Sequence, residues 1–156
     1  MGQRRPQGQV REKEVVKLTP ADVLHIMEDL VPFNRHLGMR GESVSEGRCV
    51  LRLPVRSELI GDPRRPAIHG GAISSLIDTA GGVAAWSTLG DDESVSTVDL
   101  SVDYLEPAGL DGDLRADAQL LRKGNRVCDV RVSVNQGSVL VAEGRAVYNV
   151  HRRGAA

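Results

Sequence analysis

The sequence predicts an α+β fold in which a curved antiparallel β-sheet wraps around one long, enclosed helix. The stretch from Ala72 to Leu89 has a helical pattern and contains a single charged residue, Asp78. A helix with a solvent-exposed side would show charged residues there, so this helix is expected to be enclosed on nearly all sides. Short alternating apolar segments separated by turn residues follow it, which is the pattern of antiparallel strands.

The composition is that of an ordinary single domain. The chain has 156 residues, and we expect one domain over 19–152 with a sizeable core. A formal net charge of −1 and 3% aromatic residues argue against binding to nucleic acid or to an anionic membrane. Cys49 and Cys128 lack metal-ligand or CxxC spacing and fall on predicted strands, which indicates reduced core residues. With no membrane-length apolar run and no signal-peptide core, a cytoplasmic location is expected.

The N-terminal part is predicted to contain a tail followed by one short helix. Residues 1–18 are polar without an apolar period and are expected to be disordered. Thr19 is a suitable N-cap and Pro20 suits the first helical position, so a helix is predicted from there. Pro32 is expected to end this helix, and residues 33–38 are expected to form a connecting loop.

Two strands and a long loop precede the central helix. The strands are predicted near 39–44 and over 48–55, with a turn at Glu46-Gly47 between them. Residues 57–68 contain glycine, aspartate and two prolines and are predicted to be a loop. Long loops inside a compact domain are often functional.

Four hairpin-linked strands are predicted after the central helix. In the first of them, alternation places Thr97 on the opposite face from an apolar set comprising Val98, Leu100, Val102 and Tyr104. Turns at 123–125 and 135–137 separate the remaining strands. A sheet of this size covers only part of the central helix, whose remaining face is also uncharged. We therefore expect self-association to cover the rest.

Asp78 is the candidate reactive group of the central helix. It points away from the apolar arc, and its neighbours on the helical wheel are small: Ser74, Gly81, Gly82 and Ala85. Such residues allow another backbone, a second subunit or a narrow ligand to approach closely. A lone carboxylate in an enclosed place is costly unless it is paired, which makes Asp78 a candidate for catalysis.

Three features together resemble the hotdog-fold thioesterases, and more narrowly the phenylacetate-pathway (PaaI-like) branch. They are an HGG motif at 69–71, Asp78 seven residues after its last glycine, and a strand over 97–107 that ends in Glu-Pro. The likeness extends over roughly 37–150. It implies a hotdog homodimer, usually paired into a homotetramer, that hydrolyses acyl-CoA thioesters at the subunit interface. Coenzyme A is then part of the substrate, and no cofactor or metal is expected.

The resemblance also implies catalytic roles. Gly70 or Gly71 matches the residue whose backbone N–H holds the thioester carbonyl oxygen, which agrees with the unpaired amides that open any helix. Asp78 matches the catalytic carboxylate, acting as a base for water or as a nucleophile. Thr97, or Ser96 if the register slips, matches a hydroxyl that helps to place the water.

The remaining candidates are substrate-binding residues. By resemblance, a basic turn meets coenzyme A, and two arginines of the 57–68 loop offer further phosphate contacts: Arg122, Lys123, Asn125 and Arg126 in the turn, with Arg64 and Arg65 in the loop. A solvated hairpin explains the turn equally well. His69 is expected to fix the loop before the helix. Many relatives carry Asn or Gln a few residues before this histidine, a place that here falls near Asp62-Pro63, so the second carbonyl contact stays open.

Two other functions remain open. A hotdog dehydratase or hydratase would use His69 as its acid and base, because imidazole transfers protons well near neutral pH. A non-catalytic acyl-CoA-binding module is the other alternative, because a fold does not fix a function.

Overall fold

One long helix and a six-stranded antiparallel sheet dominate the structure, a computed structural model that describes residues 19–90 and 92–152. The sheet packs on the helix as the sequence predicts. The tail over 1–18, predicted to be disordered, lies outside the described residues.

The elements have the following bounds. The helices are α1 (Pro20–His25), a π-helical turn (Ile26–Leu30), α2 (Pro32–Leu37), a 3-10 turn (Ser57–Leu59) and α3 (Gly70–Trp86). The strands are β1 (Arg40–Ser45), β2 (Arg48–Leu53), β3 (Ile60–Asp62), β4 (Ala67–Ile68), β5 (Glu93–Tyr104), β6 (Leu114–Lys123), β7 (Val127–Gln136) and β8 (Val139–Arg152).

The chain begins with the predicted helix start but then departs from the prediction. Thr19 and Asp22 form a capping box, in which each side chain accepts a hydrogen bond from the other residue's backbone N–H. The prediction of a connecting loop over 33–38 is wrong, because residues 33–37 belong to α2. Pro32 ends the first helical stretch and also starts the next, since its fixed φ suits a first helical position. Gly38 ends α2 at φ 76°, in the left-handed region.

The long loop before α3 contains short regular elements that hold it against that helix. β3 and β4 pair with each other. The prediction of a loop over 57–68 is therefore wrong for these short strands, and it is correct only in that the segment contains no long helix or strand. The His69 N–H donates to the Leu59 carbonyl at 2.7 Å, and the Ile68 N–H donates to the Ala108 carbonyl at 2.8 Å. These bonds fix the chain just before α3 begins.

The sheet order is β1-β2-β6-β7-β8-β5, with antiparallel pairing throughout. The predicted hairpins linking β6, β7 and β8 are confirmed. The prediction of a hairpin between β5 and β6 is wrong, because β5 pairs with β8 and lies at the sheet edge. The chain must therefore pass two strands, β8 and β7, between β5 and β6, and the Glu106-Pro107 step allows this by ending β5.

The core lies between α3 and the concave face of the sheet. Leu76, Ile77, Ala80 and Ala84 on α3 are fully buried, as predicted for the enclosed helix. Gly144 on β8 lets the sheet approach, because a Cβ there would overlap the Ile77 side chain. Both cysteines are buried and free in the described chain, as predicted, and burial raises the pKa of the Cys49 thiol to about 12.

Candidate active site

The N-terminus of α3 presents backbone amides rather than reactive side chains. His69 is the N-cap, and its Nδ1 accepts a hydrogen bond from the Gly71 N–H at 2.8 Å. The Gly70 N–H, by contrast, has no hydrogen-bond partner within 19–90 and 92–152. Because the helix dipole adds positive potential at this end, the Gly70 amide is a ready donor for a developing negative charge.

Both glycines are needed because side chains crowd this end of α3. A Cβ on Gly71 would lie 2.8 Å from the His69 Nδ1, and a Cβ on Gly70 would lie 3.2 Å from the Tyr104 hydroxyl oxygen. That hydroxyl donates to the Gly70 carbonyl at 2.9 Å. His69 and Tyr104 thus hold Gly70 and Gly71 in place, and the absence of side chains on the two glycines keeps the backbone accessible.

An open groove of about 520 Å³ lies directly against these glycines. It runs between the start of α3 and the segment that follows β5. Most of its side chains are apolar: Ile68, Ile73, Tyr104, Leu105, Pro107 and Ala108, with Glu106 at its border. The groove therefore offers an apolar surface next to a polar donor, which is the usual composition of a small-molecule site.

Asp78 lies half-buried in the middle of α3, next to two hydroxyl groups. The Thr97 hydroxyl donates to Asp78 Oδ1 at 2.7 Å, and the Tyr148 hydroxyl donates to the Asp78 carbonyl at 2.7 Å. Burial, with the nearby Asp78 charge, raises the pKa of the Tyr148 phenol, so Tyr148 stays a protonated donor. Asp78 Oδ2 accepts no hydrogen bond from the described residues, which leaves that oxygen available to a substrate or a water molecule.

A β-bulge places Thr97 on the face of β5 that contacts α3. The predicted alternation put Val98 among the inward residues, but Val98 is 63% exposed, and the pairing with β8 shifts between Thr97 and Asp99. The extra residue reverses the alternation, so Thr97 turns towards Asp78. The alternative register, with Ser96 towards the site, is wrong, because the Ser96 hydroxyl lies 2.6 Å from the His151 Nε2 instead.

The two candidate parts of the site are separated along α3. Asp78 follows Gly70 by eight residues, which corresponds to about 12 Å along a helix axis. A substrate carbonyl bound at the Gly70 amide is therefore out of reach of the Asp78 carboxylate in the same chain.

Arg64 and Arg65 lie near the N-terminal end of α3. They follow β3, which packs against His69 closely enough that a Cβ on Gly61 would lie 3.0 Å from the His69 Cα. Arg64 is held by Asp62 at 3.0 Å, and this hydrogen bond lowers the pKa of the Asp62 carboxyl. Both arginine side chains are about nine-tenths exposed.

The basic turn lies at the other end of α3. The Lys123 ammonium donates to the carbonyl of Thr88, two residues beyond the end of α3. The Asn125 carbonyl accepts a hydrogen bond from Arg152 at 3.3 Å, and the side chains of Arg122 and Arg126 are exposed. The two sets of predicted coenzyme A contacts are therefore not brought together within one chain.

Sequence reasoning missed the two tyrosines that support the site. Alternation placed Tyr104 only in an apolar strand set and gave Tyr148 no role in the site, whereas both hydroxyls hydrogen-bond to carbonyls of α3. The signal was present for Tyr148, because a buried tyrosine usually needs a partner for its hydroxyl, whereas Tyr104 is an exposed residue. Gly81 completes this contact, since a Cβ there would overlap the Tyr148 hydroxyl.

Within 19–90 and 92–152, no group of three histidine, cysteine or acidic side chains is arranged to hold a metal ion. Among those same residues, no helix is long and apolar enough to cross a membrane.

Comparison with known proteins identifies the family. The model of the thioesterase superfamily matches residues 66–147, which include Gly70, Asp78 and Thr97. The medium/long-chain acyl-CoA thioesterase YigI of Escherichia coli is 35% identical over 134 residues, which cover 77% of this chain and 86% of the relative.

Solved structures agree with this match. A phenylacetic acid degradation-related protein from Ralstonia eutropha superimposes with a TM-score of 0.72 at 26% identity, over 81% of this chain and 98% of that chain. A thioesterase from Haemophilus influenzae has a TM-score of 0.77 at 19% identity, over 88% of this chain and 94% of that chain, and this likeness concerns the fold alone. The resemblance to the PaaI-like hotdog thioesterases is confirmed: the chain belongs to the thioesterase superfamily and is a thioester hydrolase.

Proposed function

We propose that this protein hydrolyses acyl-CoA thioesters to a free acid and coenzyme A at a site shared by two copies of the chain. The observation that carries this proposal is the free Gly70 amide, which opens on an apolar groove at the positive end of α3. The name of the Escherichia coli relative, a medium/long-chain acyl-CoA thioesterase, supports acyl-CoA as the substrate class.

The two copies are required because the donor and the carboxylate are too far apart in one chain. We infer that the thioester carbonyl binds at Gly70 of one copy and faces Asp78 of the other. The partly exposed side of α3 around Asp78 carries no other charge and includes Ser74, Ser75 and Gly82, which is consistent with such close approach. A homodimer is thus the smallest active unit of this proposal.

The chemistry follows from these two groups. Asp78 accepts a proton from a water molecule, whose oxygen attacks the thioester carbon. The carbonyl oxygen gains negative charge and is stabilised by the Gly70 N–H. The C–S bond then breaks, and the departing thiolate of coenzyme A takes the proton from Asp78. Direct attack by Asp78 would instead give an acyl-enzyme anhydride that water hydrolyses, with the same products.

The phosphate groups of coenzyme A need cationic contacts at the mouth of this site. Arg65 and Arg64 are exposed beside the N-terminus of α3, and Arg122 and Arg126 are exposed at its other end. If the second copy crosses α3 in the opposite direction, its basic turn approaches the arginines of the first copy. We propose that both sets contribute phosphate contacts.

The first prediction concerns Asp78 and tests the reaction directly. Free thiol release is followed with short-chain, long-chain and aryl acyl-CoAs for the wild type, Asp78→Asn and His69→Ala. We expect Asp78→Asn to lower kcat by about 1,000-fold, because a positioned general base contributes about 100- to 10,000-fold. Asparagine retains an oxygen that accepts from Thr97, so the melting temperature should change little.

The other outcomes identify the alternatives. Thiol release that is lost with His69→Ala but kept with Asp78→Asn contradicts the proposed roles. Turnover without thiol release in wild type indicates a dehydratase or hydratase. Acyl-CoA binding without turnover indicates a binding module, and either result overturns the proposal.

A further inference from the structure

One wall of the groove beside Gly70 belongs to an irregular connection. The described segment 105–113 joins β5 to β6 without helix or strand, and its first residues line the groove together with the start of α3. The segment contains Gly109 and Gly112, and the φ of Gly112 is 113°, in the region that favours glycine. Because glycine leaves a chain conformationally free, this wall needs contacts from elsewhere to keep a fixed shape.

Gln136, at the end of β7, supplies such contacts to the middle of the segment. Its Oε1 accepts a hydrogen bond from the Gly109 N–H at 2.8 Å, and its Nε2 donates to the Gly109 carbonyl at 2.9 Å. The same Nε2 donates to the Gly112 carbonyl at 2.6 Å. One side chain thus satisfies three backbone groups, which requires an amide because only an amide combines an acceptor oxygen with two donor hydrogens.

Other groups hold the two ends of the segment but not its middle. At the start, the Leu105 N–H donates to the Val141 carbonyl at 2.9 Å. At the end, the Asp113 carboxylate accepts a hydrogen bond from Arg52 at 2.9 Å. The shape of the wall between these ends therefore depends on Gln136.

The middle of the wall reaches the start of α3 through a backbone hydrogen bond. The Ile68 N–H donates to the Ala108 carbonyl at 2.8 Å. The Gly70 amide is held independently of this bond, because His69 donates to the Leu59 carbonyl and caps the helix. Loosening the wall would thus leave the oxyanion donor in place.

We propose that Gln136 is a positioning residue for this wall and that the groove holds the acyl chain of the substrate. The inference rests on the proposed function, which puts the thioester carbonyl at the Gly70 amide. The mostly apolar lining suits a hydrocarbon chain. The charged residue of the lining, Glu106, is negative and would repel the phosphate end of coenzyme A. Gln136 does not line the groove, so it acts on the substrate through the wall.

Hydrolysis of dodecanoyl-CoA by Gln136→Glu and Gln136→Met tests this role. Glutamate places a carboxylate against the two carbonyl oxygens that now accept from Nε2, and methionine keeps the length without the amide. We expect KM to rise about tenfold in both variants, the usual effect of losing one such hydrogen bond. The kcat should stay within about twofold, because binding that is equal in the ground and transition states affects only KM.

Free coenzyme A tests which part of the substrate the groove holds. Coenzyme A has no acyl chain, so its inhibition constant should be the same in the wild type and in both Gln136 variants. Gln119→Glu is the matched control, since it makes the same substitution at an exposed position on β6, and it should keep the wild-type KM and kcat.

Amide hydrogen exchange gives a readout that does not depend on activity. The segment 105–113 should exchange faster in both Gln136 variants, whereas α3 should exchange as in the wild type, which also shows that the variants are folded. If the new charge of Gln136→Glu unfolds the chain, the neutral Gln136→Met variant provides the same test.

Three results would overturn the inference. Unaltered exchange over 105–113 would mean that Gln136 does not hold the wall. Faster exchange with an unchanged KM for dodecanoyl-CoA would mean that the wall does not bind the chain. An inhibition constant for coenzyme A that rises as much as KM would mean that the groove holds the coenzyme. If the wild type released no thiol from acyl-CoAs, the proposed function itself would fail.

Discussion

The two parts of the candidate site, the N-terminus of α3 and its middle turn, are built in different ways. At the N-terminus, the working group is the backbone amide of Gly70, and side chains serve only to hold the glycines. At the middle turn, the working group is the Asp78 side chain, and its surroundings come from distant strands through Thr97 and Tyr148.

The difference shows why neither part works alone. The N-terminal part supplies a donor and an apolar groove but no base at the required place. The middle part supplies a carboxylate but no free amide, because every N–H inside a helix already bonds to a carbonyl four residues earlier. A helix therefore offers amide donors only at its start, and a carboxylate two turns later must act on a substrate held by another helix.

Among the tests of this comparison, we expect the largest loss of hydrolysis when the Gly70 amide donor is removed and the helix is kept. Gly70→Pro deletes the free N–H at the first helical position, where proline is well tolerated, and His69 already has the extended φ and ψ that a residue before proline needs. We expect kcat to fall by about 100- to 1,000-fold, the usual effect of losing one oxyanion donor. Thiol release at saturating substrate measures it.

Gly70→Ala is the matched control. Its Cβ meets Tyr104 at the same 3.2 Å as the Cβ of proline would, but the N–H remains. If the alanine and proline variants lose similar amounts of activity, the loss comes from crowding by the Cβ and not from removal of the amide N–H.

Combining the two parts in different chains is the next test. Asp78→Asn and Gly70→Pro are each expected to be nearly inactive, but a mixed dimer contains one site with both groups intact. After subunit exchange or co-expression at equal amounts, activity should reach about one quarter of the wild type, because half of the dimers are mixed and each has one working site.

This result distinguishes the shared site from a site within one chain. If Asp78 and Gly70 of the same chain act together, the mixture cannot exceed the summed activities of its inactive parents.

The two parts also differ in how well the sequence predicted them. The HGG motif and the uncharged helix placed Gly70, Gly71 and Asp78 correctly on α3, because glycine pairs and a lone acid are conspicuous. The choice of Thr97 as a site residue followed only from the family resemblance, since strict alternation turned that residue away from the apolar face, and its contact with Asp78 was not predicted. A bulge is invisible to a period-two pattern, because it inserts a residue without changing the composition of the strand.

The fold shows the same contrast between local and long-range information. Local capping residues predicted the start of α1, and local turn residues predicted the turns on either side of β7. The position of β5 at the sheet edge depends on which distant strand it pairs with, and short-range patterns do not contain this. The same limit explains Tyr148, whose partner lies 70 residues away.

A smaller loss of activity is expected from changes at Thr97, which test how the Asp78 carboxylate is oriented. Thr97→Val keeps the shape but removes the hydroxyl that donates to Asp78 at 2.7 Å. A hydrogen bond to a charged group contributes about 1.5–3 kcal/mol, so a drop in kcat of at least about tenfold is expected if it orients the carboxylate. Thr97→Ser retains the hydroxyl and should stay within about threefold by the same reasoning. Equal activity in both variants would exclude this orienting role.

The smallest expected effect concerns His69, which holds the N-terminal part without supplying its donor. His69→Ala removes the acceptor for the Gly71 N–H, and loss of an N-cap acceptor costs about 1 kcal/mol, or about 2–4 °C in melting temperature for a chain of this size. His69→Asn restores a capping oxygen without restoring the imidazole. If capping is its role, thermal melting should recover in the asparagine variant, and hydrolysis should stay within a few fold of wild type. An asparagine variant that regains stability but not turnover would show that the imidazole itself takes part in the reaction, because the helix end would then be intact.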